Sequence, residues 1–238
     1  MFRMLLSLFA ALALWGCGEL VVTTGGTAPQ SQPADSSAPS LSADAAARAF
    51  VKVVSTVEPV AERECRARTN GVNCDFRIVV DDRPGQPSNA FQTLDETGRP
   101  VVAFTLALIR DARNADELAF VLGHETAHHI AGHLQRQREN AAAGAVIFAG
   151  LATLTGASEG GVQSAQDLGA TVGARTYSKD FELEADALGT VITSRAGYDP
   201  IRGAAFFTRI PDPGDRFLGT HPPNTSRVET VRRTAAGL

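Results

Sequence analysis

Two histidines spaced four residues apart constrain this chain more than any other feature of its sequence. Residues 124–128 read His-Glu-Thr-Ala-His. An α-helix turns by about 100° per residue, so His124 and His128 lie about 40° apart around its axis and both imidazoles can reach one ion. Residues 124–128 are therefore predicted to belong to a metal-binding helix.

The start of this helix is predictable as well. Asn114 can accept a hydrogen bond from the amide of Glu117 while Glu117 reaches back, an arrangement called a capping box. Leu118, Val121 and Leu122 follow at helical spacing and predict a buried face. These surroundings favour a buried catalytic helix over the alternative, a helix whose histidines only cap or pair.

Glu125 lies between the two histidines and adds a chemical role. A bound zinc ion lowers the pKa of a water molecule from about 15.7 towards about 7. A carboxylate beside that water can take its proton as the water attacks a peptide carbonyl, and can then deliver the proton to the leaving amine. The motif therefore predicts zinc-dependent hydrolysis of peptide bonds, with one Zn²⁺ per chain and Glu125 as the general base.

A third zinc ligand is expected from the acidic segment at residues 181–186. Glu182 and Asp186 lie one helical turn apart and share a face, whereas Glu184 points away. We predict that Glu182 binds zinc and that Asp186 accepts the ring N–H of a ligand histidine. An acidic helix face that is merely solvated is the alternative for this segment taken alone.

Two further histidines follow the motif. On a continuous helix, His129 and His133 lie about 140° and 180° from His124, so neither is expected to join the same metal. The longer metzincin motif is excluded, because it requires Gly at the position of Ala131 and His at the position of Leu134. His129 and His133 are interpreted as polar or packing residues.

The N-terminus is predicted to be a secretory signal. A basic residue precedes an apolar run over residues 4–15 that is too short to span a bilayer comfortably. Residues 14–17, Leu-Trp-Gly-Cys, resemble a bacterial lipobox, which implies cleavage before Cys17 and a lipid on it; a plain signal peptide with an incidental cysteine is the alternative. We assign residues 1–16 to a signal peptide, 17–41 to the lipidated cysteine and a flexible tether, and 42–238 to a zinc metallopeptidase domain.

Cys65 and Cys74 are the other cysteines of the chain. In an oxidising compartment, a pair this close around Asn70-Gly71 predicts a disulfide across a turn. Two buried free thiols are the alternative. A zinc site built on this pair is disfavoured, because cysteine ligands usually come at shorter spacing and in fours.

The remaining sequence alternates short predicted strands with helices. The whole chain has 44% apolar residues, which suits one globular domain. It has a net charge of -4 and no long run of Lys or Arg, which excludes nucleic acid as a partner. The predicted elements are a helix over residues 42–68 with an internal Pro59, a strand over 74–80, a hairpin formed by 89–91 and 101–109, the helix that starts at Asn114, a packed hairpin over 141–155, helices over 176–193 and 201–209, and a short terminal helix. This pattern predicts an α+β, mostly helical fold with a small β-sheet. For residues 141–155, a segment that contacts or enters a lipid bilayer is the alternative.

Several segments together follow one known pattern. They are Asn89-Ala90-Phe91, Phe104, residues 124–128 with His133, residues 178–186 with Gly189, residues 196–200, and residues 220–223 with Arg227. This combination resembles the HtpX and CAAX prenyl protease family of gluzincins, metallopeptidase family 48, and especially its soluble periplasmic branch of BepA-like and LoiP-like proteases. The resemblance covers most of the chain after the tether.

The resemblance implies roles for individual residues. It implies zinc ligation by His124, His128 and Glu182, catalysis by Glu125, support of the ligands by Asp186, and a position near the metal for His221. His221 is then a candidate for stabilising the oxyanion or for covering the zinc, and a loop histidine fixed by two prolines is the alternative. Lys179 stands where the family commonly has Arg, and residues 92–99 replace its usual apolar-Pro-Gly stretch.

The family also implies a cellular role. It implies an exposed strand edge, here near residues 101–106, that an extended peptide could join. The expected function is that of a zinc endopeptidase on the periplasmic side of the bacterial envelope, held to the membrane by the lipid on Cys17, which acts on unfolded or misassembled envelope polypeptides. A separate resemblance, to enterobacterial lipoproteins, implies that Gly18 after the cysteine favours the outer membrane. The alternatives are a chaperone-like assembly factor with latent or little protease activity, and a zinc-dependent amidase of cell-wall peptides.

Overall fold

The computed structural model describes residues 41–176, 178–216, 219 and 221–238. The predicted signal peptide, Cys17 and all but the last residue of the predicted tether lie outside the described residues. Across the described ranges the chain forms eight α-helices, one 3-10 turn and three β-strands. The predicted mostly helical α+β fold with a small sheet is confirmed.

The helices follow the predicted order, with two additions. They are α1 (Ala43–Arg68), α2 (Leu106–Asp111), α3 (Ala115–Ile130), α4 (His133–Leu154), α5 (Glu159–Thr176), α6 (Ser178–Arg195), α7 (Pro200–Ala204) and α8 (Asn224–Ala235), with the 3-10 turn at Ala205–Thr208. Ser42 caps α1 by accepting from the amide of Ala45, and α1 continues through Pro59. The additions are α2, which overlaps the end of the predicted strand at residues 101–109, and α5, which lies between the predicted hairpin and the predicted helix at residues 176–193.

The three strands are β1 (Arg77–Asp81), β2 (Ala90–Leu94) and β3 (Pro100–Thr105). β3 lies in the centre, parallel to β1 and antiparallel to β2. The predicted hairpin of β2 and β3 is therefore confirmed. The prediction of an exposed edge near residues 101–106 is wrong, because β3 is paired on both sides; among the described strands, β2 and β1 form the edges.

Thr105 explains why the predicted strand at residues 101–109 is too long. Its side-chain hydroxyl accepts a hydrogen bond from the amide of Leu108 at 3.2 Å and lies 2.9 Å from the carbonyl oxygen of Pro87. A threonine that caps the next turn ends the extended conformation and begins a helix. The predicted first strand is also shifted, since β1 begins at Arg77.

The main core lies between α1, the sheet, α3 and α6. Apolar residues at helical spacing on α1 pack against the buried face of α3, and Phe50 of α1 packs against Phe104 of β3. The largest fully buried apolar side chains include Val53, Val57, Phe76, Phe104, Leu118, Leu122 and Ile192. This core fixes α3 against the sheet and so fixes the helix that carries residues 124–128.

The predicted disulfide joins Cys65 near the end of α1 to Cys74, with Cα atoms 5.7 Å apart. Both residues are buried. A cross-link over so short a loop lowers the entropy of the unfolded chain, which stabilises the fold by about 2–3 kcal/mol. The disulfide thus ties the end of α1 to the segment that enters the sheet.

Removing this disulfide is expected to destabilise the chain measurably. The variant Cys65→Ser/Cys74→Ser should lose about 2–3 kcal/mol in free energy of unfolding by urea titration, with a denaturant slope equal to or slightly larger than that of the oxidised chain, because its unfolded state is less compact. The wild-type chain in a reducing agent should match the variant. Equal midpoints for the oxidised and reduced wild-type chain would show that the bond does not constrain the unfolded state.

The prediction of a packed hairpin over residues 141–155 is wrong, because residues 141–154 are the second half of the single helix α4 and Thr155 is its C-cap; the hairpin in the structure is larger and is formed by α4 and α5. Its helices cross so closely that a Cβ atom on Gly144 would lie 2.1 Å from the carbonyl oxygen of Gly169, and one on Gly173 would lie 2.0 Å from that of Asn140. Only glycine fits at such crossings. Within the described residues, no helix is long and apolar enough to cross a membrane.

Candidate metal centre

Two helices from distant parts of the sequence meet at a pair of glycines. A Cβ atom on Gly189 of α6 would lie 2.9 Å from the backbone nitrogen of His124, and one on Gly123 of α3 would lie 2.9 Å from the carbonyl oxygen of Gly189. Because neither position has a side chain, the two backbones touch. Glu182, two turns before Gly189 on α6, is thereby placed beside the histidines of α3.

His124, His128 and Glu182 form one cluster in which a ligand atom of each lies within 4.8 Å of the others. The Nε2 atoms of His124 and His128 are 3.0 Å apart. The carboxylate oxygens of Glu182 lie 3.6 Å from Nε2 of His124 and 3.4 Å from Nε2 of His128. The structure therefore brings together the three residues that were predicted as ligands.

The spacing of the two imidazole nitrogens and the carboxylate oxygens fits zinc. Tetrahedral zinc with bonds of about 2.0–2.1 Å holds its ligand atoms about 3.3 Å from one another. The distances in the cluster, 3.0, 3.4 and 3.6 Å, bracket that value. Two imidazoles and one carboxylate are also a ligand set of catalytic zinc, which leaves a fourth position open.

Asp186 lies behind His124, as predicted. Its Oδ1 atom is 2.9 Å from Nδ1 of His124, and the carboxylate is fully buried. The contact assigns the proton of His124 to Nδ1 and leaves Nε2 free to bind a metal. Burial acts to raise the pKa of Asp186, but hydrogen bonds from Arg227 and His124 outweigh it and lower the pKa below its ordinary value.

Arg227 of α8 is a buried cation beside the two buried carboxylates, Glu182 and Asp186. Its guanidinium donates to both oxygens of Asp186, at 2.7 and 2.8 Å, lies 3.3 Å from Glu182, and covers the ring of Phe207 at 3.8 Å from the centroid. Reasoning from residue patterns gave Arg227 no role; only its place in the family pattern pointed to it. Arg227 thus holds α8 against the ligand helix α6.

The pKa of Glu182 is also low. Burial acts to raise it, but the neighbouring imidazoles of His128, His221 and His124, together with the charge of Arg227, hold the pKa of Glu182 well below its ordinary value. A carboxylate that stays ionised is the form that binds a metal. Glu182 is therefore ready to act as a ligand at neutral pH.

The two extra histidines occupy different positions. The ring of His129 lies 2.8 Å from the carbonyl oxygen of Asn73 and packs edge-on against Phe76, away from the cluster. Nδ1 of His133 instead lies 2.8 Å from Nδ1 of His128. The predicted angle of 180° for His133 assumed a continuous helix, whereas Gly132, with a φ of 67°, ends α3 and starts α4. Gly132 is thus the feature of the sequence from which this helix break could have been predicted.

The cluster opens into a cleft of about 1160 Å³, large enough for several residues of an extended peptide. Glu125 lines this cleft, as do Phe91 and Gln92 of the edge strand β2. His221 lies on the loop before α8, half exposed, with Nδ1 3.1 Å from Glu182. The structure therefore places the predicted site residues around one opening, except Asp186, which is buried behind His124.

The predicted capping box at the start of α3 is formed in part. The amide of Glu117 donates to the side chain of Asn114 at 3.0 Å, as expected. The carboxylate of Glu117, however, accepts from the amide of Arg113 rather than that of Asn114, and it also pairs with Arg209. The buried charge of Glu117 thus fixes the start of the motif helix to the segment after the 3-10 turn.

Fold and site together define a metallopeptidase in which α3 carries two of the three clustered candidate metal ligands. The chain belongs to peptidase family M48, whose model matches residues 40–235. That match covers the described domain almost completely and includes each residue of the cluster.

Curated relatives give the same assignment. The beta-barrel assembly-enhancing protease of Escherichia coli O157:H7 is 30% identical over 151 residues, 54% of this chain and 29% of that protein. Its counterpart in Yersinia pestis is 32% identical over 142 residues, 54% of this chain and 29% of that protein. The mitochondrial metalloendopeptidase OMA1 of Saccharomyces cerevisiae is 27% identical over 175 residues, 69% of this chain and 48% of that protein. Each alignment spans less than half of the relative's own length.

Proposed function

We propose that this chain is a zinc endopeptidase of the bacterial envelope that degrades misfolded or misassembled envelope proteins. The observation that carries the proposal is the cluster of His124, His128 and Glu182 within 4.8 Å, at the mouth of a cleft that Glu125 also lines. Membership of peptidase family M48 supports the reaction class. The names of the bacterial relatives support the substrate class.

In this proposal each site residue has one role. His124, His128 and Glu182 hold one zinc ion, which supplies Lewis-acid activation of water and of the peptide carbonyl. Glu125 accepts the proton of the attacking water and then donates it to the leaving amine. Asp186 keeps the proton of His124 on Nδ1 and so orients the ring.

His221 acts at the open side of the cluster, close to Glu182. Two roles suit this position: stabilising the oxyanion of the transition state, or covering the zinc in a resting enzyme. The variant His221→Ala separates them. Loss of an oxyanion donor lowers the rate of cleavage, whereas removal of a cover raises it.

The edge strand β2 is the proposed docking site for substrate. It borders the cleft, since two of its residues, Phe91 and Gln92, line the cleft. An extended segment of an unfolded protein can add to such an edge through main-chain hydrogen bonds, which do not depend on side-chain identity. This mode of binding suits a protease whose substrates share an unfolded state rather than a sequence.

The proposed location is the periplasmic side of the envelope, with a lipid on Cys17 and attachment to the outer membrane. The lipobox-like residues 14–17 support the lipid, and Gly18 supports the outer membrane. The disulfide between Cys65 and Cys74 supports an oxidising compartment.

Removal of the metal is expected to abolish activity. Purified chain should contain one zinc ion, cleave unfolded casein, lose cleavage after chelation, and regain it when zinc is restored, because the proposed chemistry requires the metal. Mass spectrometry of the metal and gel analysis of casein measure both quantities. Zinc-free chain with full cleavage would overturn the proposal, and bound zinc without cleavage would favour the assembly-factor alternative.

A further inference from the structure

Three polar side chains in hydrogen-bond contact, those of His128, His133 and Glu184, extend from the candidate metal centre to the surface. Nδ1 of His128 lies 2.8 Å from Nδ1 of His133, and Nε2 of His133 lies 3.1 Å from a carboxylate oxygen of Glu184. Glu184 also pairs with Arg136 at 2.8 Å. His133, Glu184 and Arg136 are not predicted zinc ligands, but their contacts lead to one of those ligands, His128.

Metal binding by His128 determines which atom donates and which accepts in each of these hydrogen bonds. His128 faces His124 and Glu182 with Nε2, so Nε2 needs a free lone pair and the ring proton must be on Nδ1. Nδ1 of His133 must then accept that proton. The remaining proton of His133 is therefore on Nε2, where the carboxylate of Glu184 can accept it.

The ring of His133 has little freedom to adopt another arrangement. It is 4% exposed and stacks on Phe181, with centroids 4.6 Å apart and planes 10° from parallel. Phe181 directly precedes Glu182, and the guanidinium of Arg136 lies 4.3 Å from the centroid of the same ring. The position of His133 itself is set by the helix break at Gly132, which turns the start of α4 back towards His128.

We propose that His133 is a positioning residue that accepts the Nδ1 proton of His128 and thereby aims its Nε2 atom at the metal, while Glu184 fixes the proton of His133 on Nε2. The inference rests on the zinc site of the proposed function and assigns to His128 the counterpart of the contact that Asp186 makes with His124. Outer partners of this kind typically change metal affinity by roughly 10- to 100-fold.

Zinc affinity, measured in the full chain by competition with a chelator of known affinity, tests this role. His133→Phe keeps a ring on Phe181 but cannot accept a proton, and should weaken zinc binding by roughly 10- to 100-fold. His133→Asn places a carbonyl oxygen where Nδ1 was, and should recover most of the lost affinity. His129→Phe makes the same change at the neighbouring histidine and should bind zinc as the wild-type chain does.

Three results would overturn the inference. Wild-type affinity in a folded His133→Phe chain would show that His128 needs no acceptor, and equal loss in His133→Asn and His133→Phe would show that packing, not acceptance, is responsible. Ring ¹⁵N shifts in the zinc-loaded wild-type chain, which do not depend on any variant folding, should show His133 protonated on Nε2 only; a proton on its Nδ1 would also refute it. A wild-type chain that binds no zinc would instead refute the metal site of the proposed function, and this inference with it.

Discussion

Replacing Glu125 by Gln is expected to lower the rate of peptide-bond cleavage by roughly 10²–10⁴-fold, the range over which general acid–base groups act. Gln keeps the size of the side chain but cannot accept the proton of the attacking water. Glu125 is not one of the clustered ligands, so zinc should remain bound in the variant. Casein cleavage followed over time, with zinc quantified in the same samples, measures both effects.

Glu139→Gln provides a matched control. Glu139 lies exposed on α4, where its carboxylate accepts from Gln135 at 2.8 Å, and the same change there should leave cleavage and zinc content as in the wild-type chain. If Glu125→Gln lost its zinc together with its activity, Glu125 would have to be reassigned as a ligand. If it kept both, a different group would be the base.

Replacing Arg227 by Met is expected to lower the free energy of unfolding by about 3–5 kcal/mol, because it leaves a buried charge without its partner. Arg227 is 6% exposed and Asp186 is 0% exposed. Met preserves much of the apolar stem of Arg227 but lacks the guanidinium that covers Phe207 and donates to both oxygens of Asp186. Urea titration measures the loss. The zinc concentration must be the same for both chains, because bound metal stabilises the folded state by an amount that depends on its concentration.

A second substitution separates the lost charge pair from lost packing. Asp186→Asn removes the charge that Arg227 neutralises, so the double variant Asp186→Asn/Arg227→Met should be less destabilised than the sum of the two single variants. The difference is the coupling energy of the pair. Additive effects would mean that the ion pair is not what stabilises this part of the structure.

The parts of the site predicted from the sequence are those that helical periodicity determines. His124 and His128 share a face because they are one turn apart, and the same rule placed Glu182 and Asp186 together on α6. These relations depend only on residues close in sequence, so tertiary packing does not alter them. The cap of α3 at Asn114 was predictable for the same reason.

The errors and omissions come from contacts between distant elements. The free edge was assigned to residues 101–106, because no sequence pattern shows that β1 pairs with β3 and leaves β2 at the side of the cleft. The role of Arg227 depends on how α8 packs on α6, which local patterns do not encode either. The contact of His133 with His128 is different, because it depends on a local helix break at Gly132, and that glycine is visible in the sequence.

The hairpin of α4 and α5 has a consequence for how the chain can change in length. It lies between α3 and α6, the helices that meet at Gly123 and Gly189, and it is held by its own glycine crossings at Gly144 and Gly169. The entropy lost on closing a loop grows only with the logarithm of its length, by about 0.6 kcal/mol per doubling. Because the two ends of a helical hairpin stay adjacent whatever its length, whole turns can be added or removed in register at its tip without moving Glu182 away from the histidines. The crossing of α3 and α6 allows no such change, since a single added methyl group at Gly189 would force the two backbones apart.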